Sequence, residues 1–190
     1  MIIIMASAVL AALSMAVTRY GKLEDPVMAW AAGVGGNWTR QAMIVLTKYG
    51  RLPFWSAVVI AIAALGRMAM AISIALSILT SIIIGRAVKE VVKRQRPYER
   101  MPLNAVTASG SSFPSNHCSV VWGASLLALS LLGPQLSLPL IAEAVLVSAS
   151  RVLLLAHYPS DCVGGLLIGV ISWRIGLIMY RAVLGLPLPL

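Results

Sequence analysis

Five runs without a charged residue dominate the sequence, at residues 1–18, 52–66, 68–85, 118–142 and 162–173. A helix needs about 20 apolar residues to cross the hydrocarbon core of a bilayer, and flanking side chains that reach the headgroups extend a shorter run. Only 11% of the 190 residues are charged, whereas about 25% is usual in soluble domains. The sequence therefore predicts an integral membrane protein.

These runs predict an all-α fold, a single membrane-embedded domain over residues 1–190 built as a bundle of six transmembrane helices. We expect the helices at residues 1–18, 52–66, 68–88, 117–132, 138–156 and 162–181. The second is short for a span, so we expect it to extend to either side. Residues 19–51 carry glycines and several Trp and Tyr side chains, which is typical of an interfacial or re-entrant segment.

Alternate crossing of the membrane brings four helix ends to one face, namely the end of the third, the start of the fourth, the end of the fifth and the start of the sixth. Nearly all the unusual polar groups of the sequence fall at these ends. They lie in the stretches KEVVKRQRP (89–97), PSNH (114–117) and SRVLLLAHYPSD (150–161). We therefore expect an active site at helix ends on one membrane face.

Three cations of these stretches, Lys89, Arg96 and Arg151, would meet at one point of the membrane surface. Charges of one sign repel unless an anion neutralises them, and arginine and lysine suit phosphate oxygens. The free N–H groups at the start of the fourth helix, from Asn116 onward, add to such a site. We expect Ser115 both to cap that helix and to donate to a bound oxyanion.

The chain has two histidines, and both lie in these stretches. His117, at the start of a helix beside an anion site, can give a proton to a leaving oxygen or take one from water. His157 is followed four residues later by Asp161, the arrangement of a nucleophile or base that a carboxylate holds in one tautomer. Each histidine alone could merely satisfy a polar bond at a helix end, but the joint arrangement favours catalysis.

The three stretches read K-x6-R-P, P-S-x-H and S-R-x5-H-x3-D, in that order. This resembles the signature of the type 2 phosphatidic acid phosphatase (PAP2) superfamily, in its membrane lipid phosphatase branch. The resemblance implies that His157 attacks phosphorus to form a phosphohistidine, that Asp161 orients His157, and that His117 protonates the departing oxygen before it activates water. The phosphate-binding residues would be Lys89, Arg96, Ser115, Asn116 and Arg151. It implies no metal and no cofactor.

The sequence departs from the family pattern at Asn116, where many members have glycine. Asparagine is the next best tolerated residue at positive φ, so we expect activity to persist and the Asn116 side chain to influence substrate preference.

The remaining charged residues lead to structural predictions. We expect Lys93, Arg94 and Arg100 to be surface charges that attract anionic headgroups. Glu143 and Arg174 lie at similar depth away from the catalytic face, so they are predicted to form an ion pair. Gly165 and Gly169 form a G-x-x-x-G pattern on the sixth predicted helix, which predicts close packing of that helix against a neighbour.

The side of the membrane stays open on the sequence alone. Nine basic residues outside the three motif cations lie on the motif-bearing side against three opposite, which favours a cytoplasmic site, whereas the family more often places it outside. We expect a multi-pass protein of a bacterial inner membrane.

The predicted partners are the bilayer and a lipid phosphate, such as phosphatidylglycerophosphate, phosphatidate or an isoprenyl phosphate or diphosphate, and no nucleic acid. The sequence gives no oligomeric state. A phosphotransferase that uses an alcohol acceptor, and a non-catalytic protein that binds or transports lipid phosphates, are alternatives.

Overall fold

The computed structural model of the protein describes residues 1–100 and 110–186. The helices are Ile2–Tyr20 (α1), Asp25–Gly33 (α2), Asn37–Tyr49 (α3), Leu52–Ala64 (α4), Met68–Val92 (α5), Pro97–Arg100 (α6), Asn116–Leu132 (α7), Pro134–Leu153 (α8) and Pro159–Val183 (α9). A 3₁₀ helix, Gly21–Glu24, joins α1 to α2. These two ranges contain no strand, so the predicted all-α class is confirmed.

Four helical stretches of the described residues are long and apolar enough to cross a membrane: Ile2–Gly33, Met68–Arg100, Pro134–Leu153 and Pro159–Val183. Helices α3 and α4 pass the same test as a pair that bends by 47°, which raises the number of candidate spans to five. Helix α7 is apolar but has only 17 residues. The protein is thus an integral, multi-pass membrane protein, and the count of six spans stays a prediction.

The short second helix of the prediction is part of this bent pair. Its observed range, Leu52–Ala64, is preceded by α3 with only Gly50 and Arg51 between them. The sequence placed α3 in an interfacial or re-entrant segment because residues 19–51 carry glycines and several Trp and Tyr side chains. In the structure α3 packs along α8, which gives its apolar residues a protein surface to cover.

Helices α7 and α9 form the centre of the bundle. They pack against each other and both contact α5, while α8 covers α7 and α1 covers α9. One buried cluster, with Trp55, Ile74 and Leu127 among its members, joins α4, α5, α7 and α8. Because α7 and α9 are held by neighbours on several sides, the loops at their N-termini start from a fixed position.

Glycine permits the close contact between α7 and α9. A Cβ atom on Gly165 would lie 2.6 Å from the Ser115 carbonyl oxygen, and one on Gly169 would lie 2.9 Å from the Gly123 nitrogen. Real side chains essentially never approach backbone atoms so closely, and small residues at such crossings are typical of membrane helices. The predicted packing role of the G-x-x-x-G step is confirmed.

The predicted ion pair between Glu143 and Arg174 is wrong. Both carboxylate oxygens of Glu143 are buried and have no hydrogen-bond partner in the described part of the chain. Helix α8 packs mainly on α7 and α3 rather than on α9, so Glu143 faces Gly50 at the α3–α4 break, where a Cβ would lie 3.0 Å from its Oε1. Similar depth in a bundle does not make two residues neighbours when their helices have different partners.

Local sequence sets the helix ends that carry the polar stretches. Helix α5 ends where Lys93 adopts a left-handed backbone with φ of 48°, four residues before Pro97. Helix α9 begins with Pro159, and Asp161 in its first turn accepts a hydrogen bond of 2.8 Å from the Tyr158 N–H. Proline at the first helical position and a carboxylate in the first turn both favour a helix start.

We predict that Gly169→Ala destabilises the protein, because the new methyl group meets backbone atoms of α7 that cannot move aside. Overpacking costs about 1–3 kcal/mol, and about 2–4 °C of Tm accompanies each kcal/mol in a chain of this size. A thermal melt of the purified protein in detergent measures the shift. The matched control is Gly33→Ala, where nothing lies within 4 Å of the added Cβ, and an equal shift in both variants would contradict the packing argument.

Candidate active site

The four predicted helix ends meet at one end of the bundle. Backbone hydrogen bonds tie the loops together, because the Ser115 N–H donates to the Asp161 carbonyl oxygen at 2.9 Å. Arg96, just after α5, donates from Nη1 to the Ala156 carbonyl oxygen at 2.8 Å. The three polar stretches therefore form one connected site.

A cavity of about 330 Å³ opens between these ends. Its lining residues are Arg51, Arg86, Lys89, Arg96, Asn116, His117, Arg151 and His157. Six of these were predicted from the sequence, while the other two predicted residues, Ser115 and Asp161, are fully buried. Among the described residues, the lining carries five cationic side chains and two imidazoles but no carboxylate, so the cavity favours a polyanion.

Asp161 is the buried centre of the hydrogen-bond network. Its Oδ1 accepts from Arg94 Nη1 at 2.6 Å, and its Oδ2 accepts from the Ser112 hydroxyl and from the Tyr158 N–H. The same Oδ2 lies 3.5 Å from Nδ1 of His157. That separation is longer than a good hydrogen bond, and Nδ1 has no hydrogen-bond partner among the described residues, although the carboxylate is the charged group beside it.

His157 is 3% exposed, and its second ring nitrogen, Nε2, lies 3.4 Å from Arg96 Nη1. Burial lowers the pKa of His157 from 6.5 to about 3, so the imidazole is neutral at pH 7. With Nδ1 facing a carboxylate and Nε2 facing a donor, the proton belongs on Nδ1. The electron pair is then on Nε2, the nitrogen next to Arg96, which also lines the cavity.

Arg94 is not a surface charge, which corrects the prediction. Its side chain is only 5% exposed; besides Asp161, it donates to Glu24 Oε2 at 2.6 Å and to the Ser160 hydroxyl at 2.8 Å. Its guanidinium carbon lies 3.9 Å from the centre of the Tyr158 ring. A carboxylate as buried as Asp161 requires a charged partner, and Arg94 supplies it.

Glu24 and Asp25 connect the segment after α1 to the site. Glu24 accepts hydrogen bonds from the N–H and the hydroxyl of Ser160, and Asp25 forms an ion pair of 2.8 Å with Arg100. Arg100 therefore also has a structural partner, whereas Lys93 is exposed. The sequence analysis did not assign Glu24 and Asp25 to the site. The signal in the sequence was that these two acidic residues are adjacent in a chain that has only six.

The motif cations are positioned by backbone carbonyls and by α3. Lys89 donates from Nζ to the Ser111 carbonyl oxygen, and Arg96 Nε donates to the Gly110 carbonyl oxygen at 2.9 Å. Arg151 Nη1 donates to the Thr47 hydroxyl at 2.6 Å, while Arg151 Nε is buried and has no partner in the described part of the chain. Neutral anchors hold these cations in place without cancelling their charge.

The N-terminus of α7 differs from the prediction in one detail. Ser115 occupies the N-cap position, but its side chain makes no capping hydrogen bond, and its buried hydroxyl has no partner among the described residues. The capping prediction is therefore wrong, because the Ser115 hydroxyl does not reach the first-turn N–H groups.

Asn116 lies against Gly85 of α5, where any Cβ would overlap its amide oxygen. The missing side chain at Gly85 makes room for asparagine where family members have glycine. The Asn116 Oδ1 is buried and has no hydrogen-bond partner among the described residues.

Arg51 and Arg86 are cavity residues that the sequence analysis did not assign to the site. Both had been counted only as basic residues of the motif-bearing side, since neither lies in a motif position. A possible signal for Arg86 is its spacing three residues before Lys89, which puts both on one helix face. Among residues 1–100 and 110–186, no group of three or more His, Cys, Asp or Glu could hold a metal ion.

Comparison with known proteins gives consistent matches. The sequence profile of the PAP2 superfamily matches residues 70–184. An undecaprenyl-diphosphatase of Sulfolobus acidocaldarius is 33% identical over 136 residues, which are 69% of this chain and 65% of that protein. A lipid A 1-phosphatase of Rhizobium etli is 38% identical over 89 residues, which are 43% of this chain and 38% of that protein. The chain thus matches about two thirds or less of the length of these relatives.

A solved structure shares the fold. It is the crystal structure of a transmembrane PAP2-type phosphatidylglycerolphosphate phosphatase from Bacillus subtilis, with a TM-score of 0.77 and 21% sequence identity. The likeness covers 92% of this chain and 93% of that one. The profile match alone spans more than half of the sequence, and the three motifs lie together around one cavity: this chain belongs to the PAP2 superfamily.

Proposed function

We propose that this protein is a lipid phosphatase that hydrolyses a phosphomonoester or diphosphate of a membrane lipid without a metal ion. One observation carries the proposal. A buried, neutral His157, whose Nδ1 lies 3.5 Å from the Asp161 carboxylate, lines one cavity together with five cationic side chains and a second histidine. The names of the relatives, which are phosphatases of lipids, agree with this function.

The reaction begins with attack by His157. Its Nε2 electron pair forms a bond to phosphorus while the bond from phosphorus to the leaving oxygen breaks. His117 gives its proton to that oxygen, and Asp161 accepts the hydrogen bond of the His157 Nδ1–H as the ring becomes positive. The phosphate charge offsets the nearby arginines, so a protonated His117 is tolerated in the complex.

Water completes the cycle. His117, now neutral, takes a proton from a water molecule whose oxygen attacks the phosphohistidine. The P–N bond breaks and its electron pair returns to Nε2, which restores neutral His157 and releases inorganic phosphate. The net reaction adds one water to the substrate, and both histidines end in their starting protonation states.

Fixed donors stabilise the charge that develops on the phosphoryl oxygens. Lys89, Arg96 and Arg151 contribute cations, and Asn116 contributes a neutral donor at the start of α7. The buried Ser115 hydroxyl, which does not line the cavity, donates to a phosphoryl oxygen only if its side chain turns toward the cavity. The contacts described above support the role of the cations, because the backbone carbonyl groups of residues 110–112 accept hydrogen bonds from Lys89 and Arg96 and hold them in place. Donors fixed before substrate binds need little reorganisation during the reaction.

The site suits a substrate in a bilayer. With α3–α4 as one span and α7 as another, α1, α5, α8 and α9 complete six crossings of a single membrane-embedded domain. The catalytic groups then lie at headgroup depth on one face, where a lipid phosphate reaches them while its tails stay in the hydrocarbon. A bacterial inner membrane is the setting we propose.

Arg94 is proposed as a positioning residue. It does not line the cavity, but it is the charged donor to Asp161 Oδ1. Without it the buried carboxylate would rotate or take up a proton, because an unpaired charge at such a site is costly. Asp161 would then orient His157 less well.

We predict that the purified protein releases phosphate from lipid phosphates in detergent with EDTA present, and that His157→Ala lowers kcat about 10³-fold or more. The panel contains phosphatidylglycerophosphate, phosphatidate and isoprenyl phosphates and diphosphates. Lys93→Gln, an exposed change near the site, is the control. Turnover that persists in His157→Ala, or that EDTA abolishes, would contradict the proposal, and transfer to an added alcohol would identify a phosphotransferase.

We predict that Arg94→Gln lowers kcat about tenfold, which corresponds to about 1.4 kcal/mol in the barrier, with little change in KM. Arg94→Lys keeps the charge and recovers part of kcat. Lys93→Gln removes the same charge one residue away and leaves both constants near wild type. A rise in KM at constant kcat, or no recovery with lysine, would count against a positioning role.

A further inference from the structure

Two arginines of the cavity have no task in the mechanism above. Arg51 lies between α3 and α4, and Arg86 lies on α5, and both line the cavity with the motif residues. Neither forms an ion pair with a described residue.

Uncompensated charges of one sign are costly within a membrane protein. The carboxylate nearest to the break, Glu143, faces Gly50 and makes no hydrogen bond in the described part of the chain. A phosphomonoester brings about two negative charges at pH 7, which Lys89, Arg96 and Arg151 already offset. Arg51 and Arg86 therefore indicate a second anionic group on the substrate.

The backbones of Arg51 and Arg86 lie farther from the helix ends than those of Lys89 and Arg151, and both side chains reach the cavity. Arg86 precedes Lys89 by three residues, which is about 4.5 Å along α5 and away from its C-terminal end. Gly50, next to Arg51, packs against Val147. Val147 precedes Arg151 by four residues on α8, which is about 6 Å along the helix axis. A group bound there lies on the side of the reacting phosphate that faces the lipid tail.

Arg51 and His117 line the same cavity. His117 protonates the departing oxygen in the proposed mechanism, and a lipid-attached phosphate would carry that oxygen. A cation there would stabilise a leaving phosphate far better than a leaving alcohol.

The cavity has room for this substrate. Its volume of about 330 Å³ is several times the roughly 30 Å³ that one water molecule takes up in the liquid, so a group larger than one phosphate fits. A single phosphate has five non-hydrogen atoms and a diphosphate has nine. The size of the cavity, its positive charge and the position of the two arginines are all compatible with a second phosphate group on the substrate.

We propose that Arg51 and Arg86 bind the lipid-attached phosphate of a lipid diphosphate, so that water and the diphosphate give a lipid monophosphate and inorganic phosphate. This inference rests on the proposed function and narrows its substrate class. Each guanidinium presents paired donors that match phosphate oxygens. The phosphate that receives them is the leaving group, so they act on the transition state as well as on binding.

The test compares farnesyl diphosphate with farnesyl monophosphate, which share the same lipid chain. We expect wild type to prefer the diphosphate in kcat/KM, and Arg51→Gln and Arg86→Gln to lower that preference at least tenfold. Arg86→Lys keeps the charge and gives an intermediate value. The matched control is Arg67→Gln, which removes an arginine at the opposite end of α5 and leaves the preference unchanged.

Equal losses on both substrates in the two variants would overturn the inference while leaving the proposed function intact. A larger loss on phosphatidylglycerophosphate than on the diphosphate would overturn it too, since the pair would then serve a distant phosphodiester. If wild type hydrolyses none of the lipids, the proposed function fails and the inference fails with it.

Binding gives a readout that does not need turnover. Methylenediphosphonate carries two phosphonates that the enzyme cannot separate by hydrolysis, and methylphosphonate carries one. We expect the first to raise the Tm of wild type more than the second at equal concentration, and we expect Arg51→Gln and Arg86→Gln to remove the difference. Equal stabilisation of wild type by both compounds would overturn the inference.

Discussion

The site depends on one buried negative charge. Asp161 is fully enclosed, and a carboxylate in that position is stable only if donors and a cation surround it. Its four neighbours come from different parts of the chain: Arg94 after α5, Ser112 before α7, and His157 and Tyr158 before α9. Satisfying this single group therefore ties the end of α5, the loop before α7 and the loop before α9 together, and it places His157, the proposed nucleophile, among them.

Buried charged side chains need polar partners, and the part of the chain before the first motif supplies some of them. Arg94 divides its guanidinium between Asp161 and Glu24, and Thr47 holds Arg151. Arg51 enters the cavity from the break between α3 and α4. Broken helices at membrane depth occur where they line a cavity, and the 47° bend provides such a place. Residues outside the motifs thus hold motif side chains in place, and the motif residues are those to which we assign the chemistry.

Much of this was predictable from the sequence, and the remainder was not, for physical reasons. Apolar runs predict spanning helices because the thickness of the hydrocarbon core sets how many apolar residues a helix needs to cross it. The motifs predicted six of the eight cavity-lining residues. Arg94 was misread because local sequence does not indicate burial: its neighbour Lys93 is exposed and Arg94 is not. The failed Glu143–Arg174 pair and the missed Arg51 both depend on which helices pack together, and periodicity carries no information about that choice.

The central claim is that His157, held by Asp161, takes the phosphoryl group from the substrate. The most direct measurement is a rapid quench of the purified protein with a ³²P-labelled lipid phosphate, followed by peptide mapping under alkaline conditions that preserve a phosphoramidate. The account predicts acid-labile label on the peptide that contains His157, in wild type and not in His157→Ala. Label on another residue, or turnover without any labelled protein during a single turnover, would contradict it.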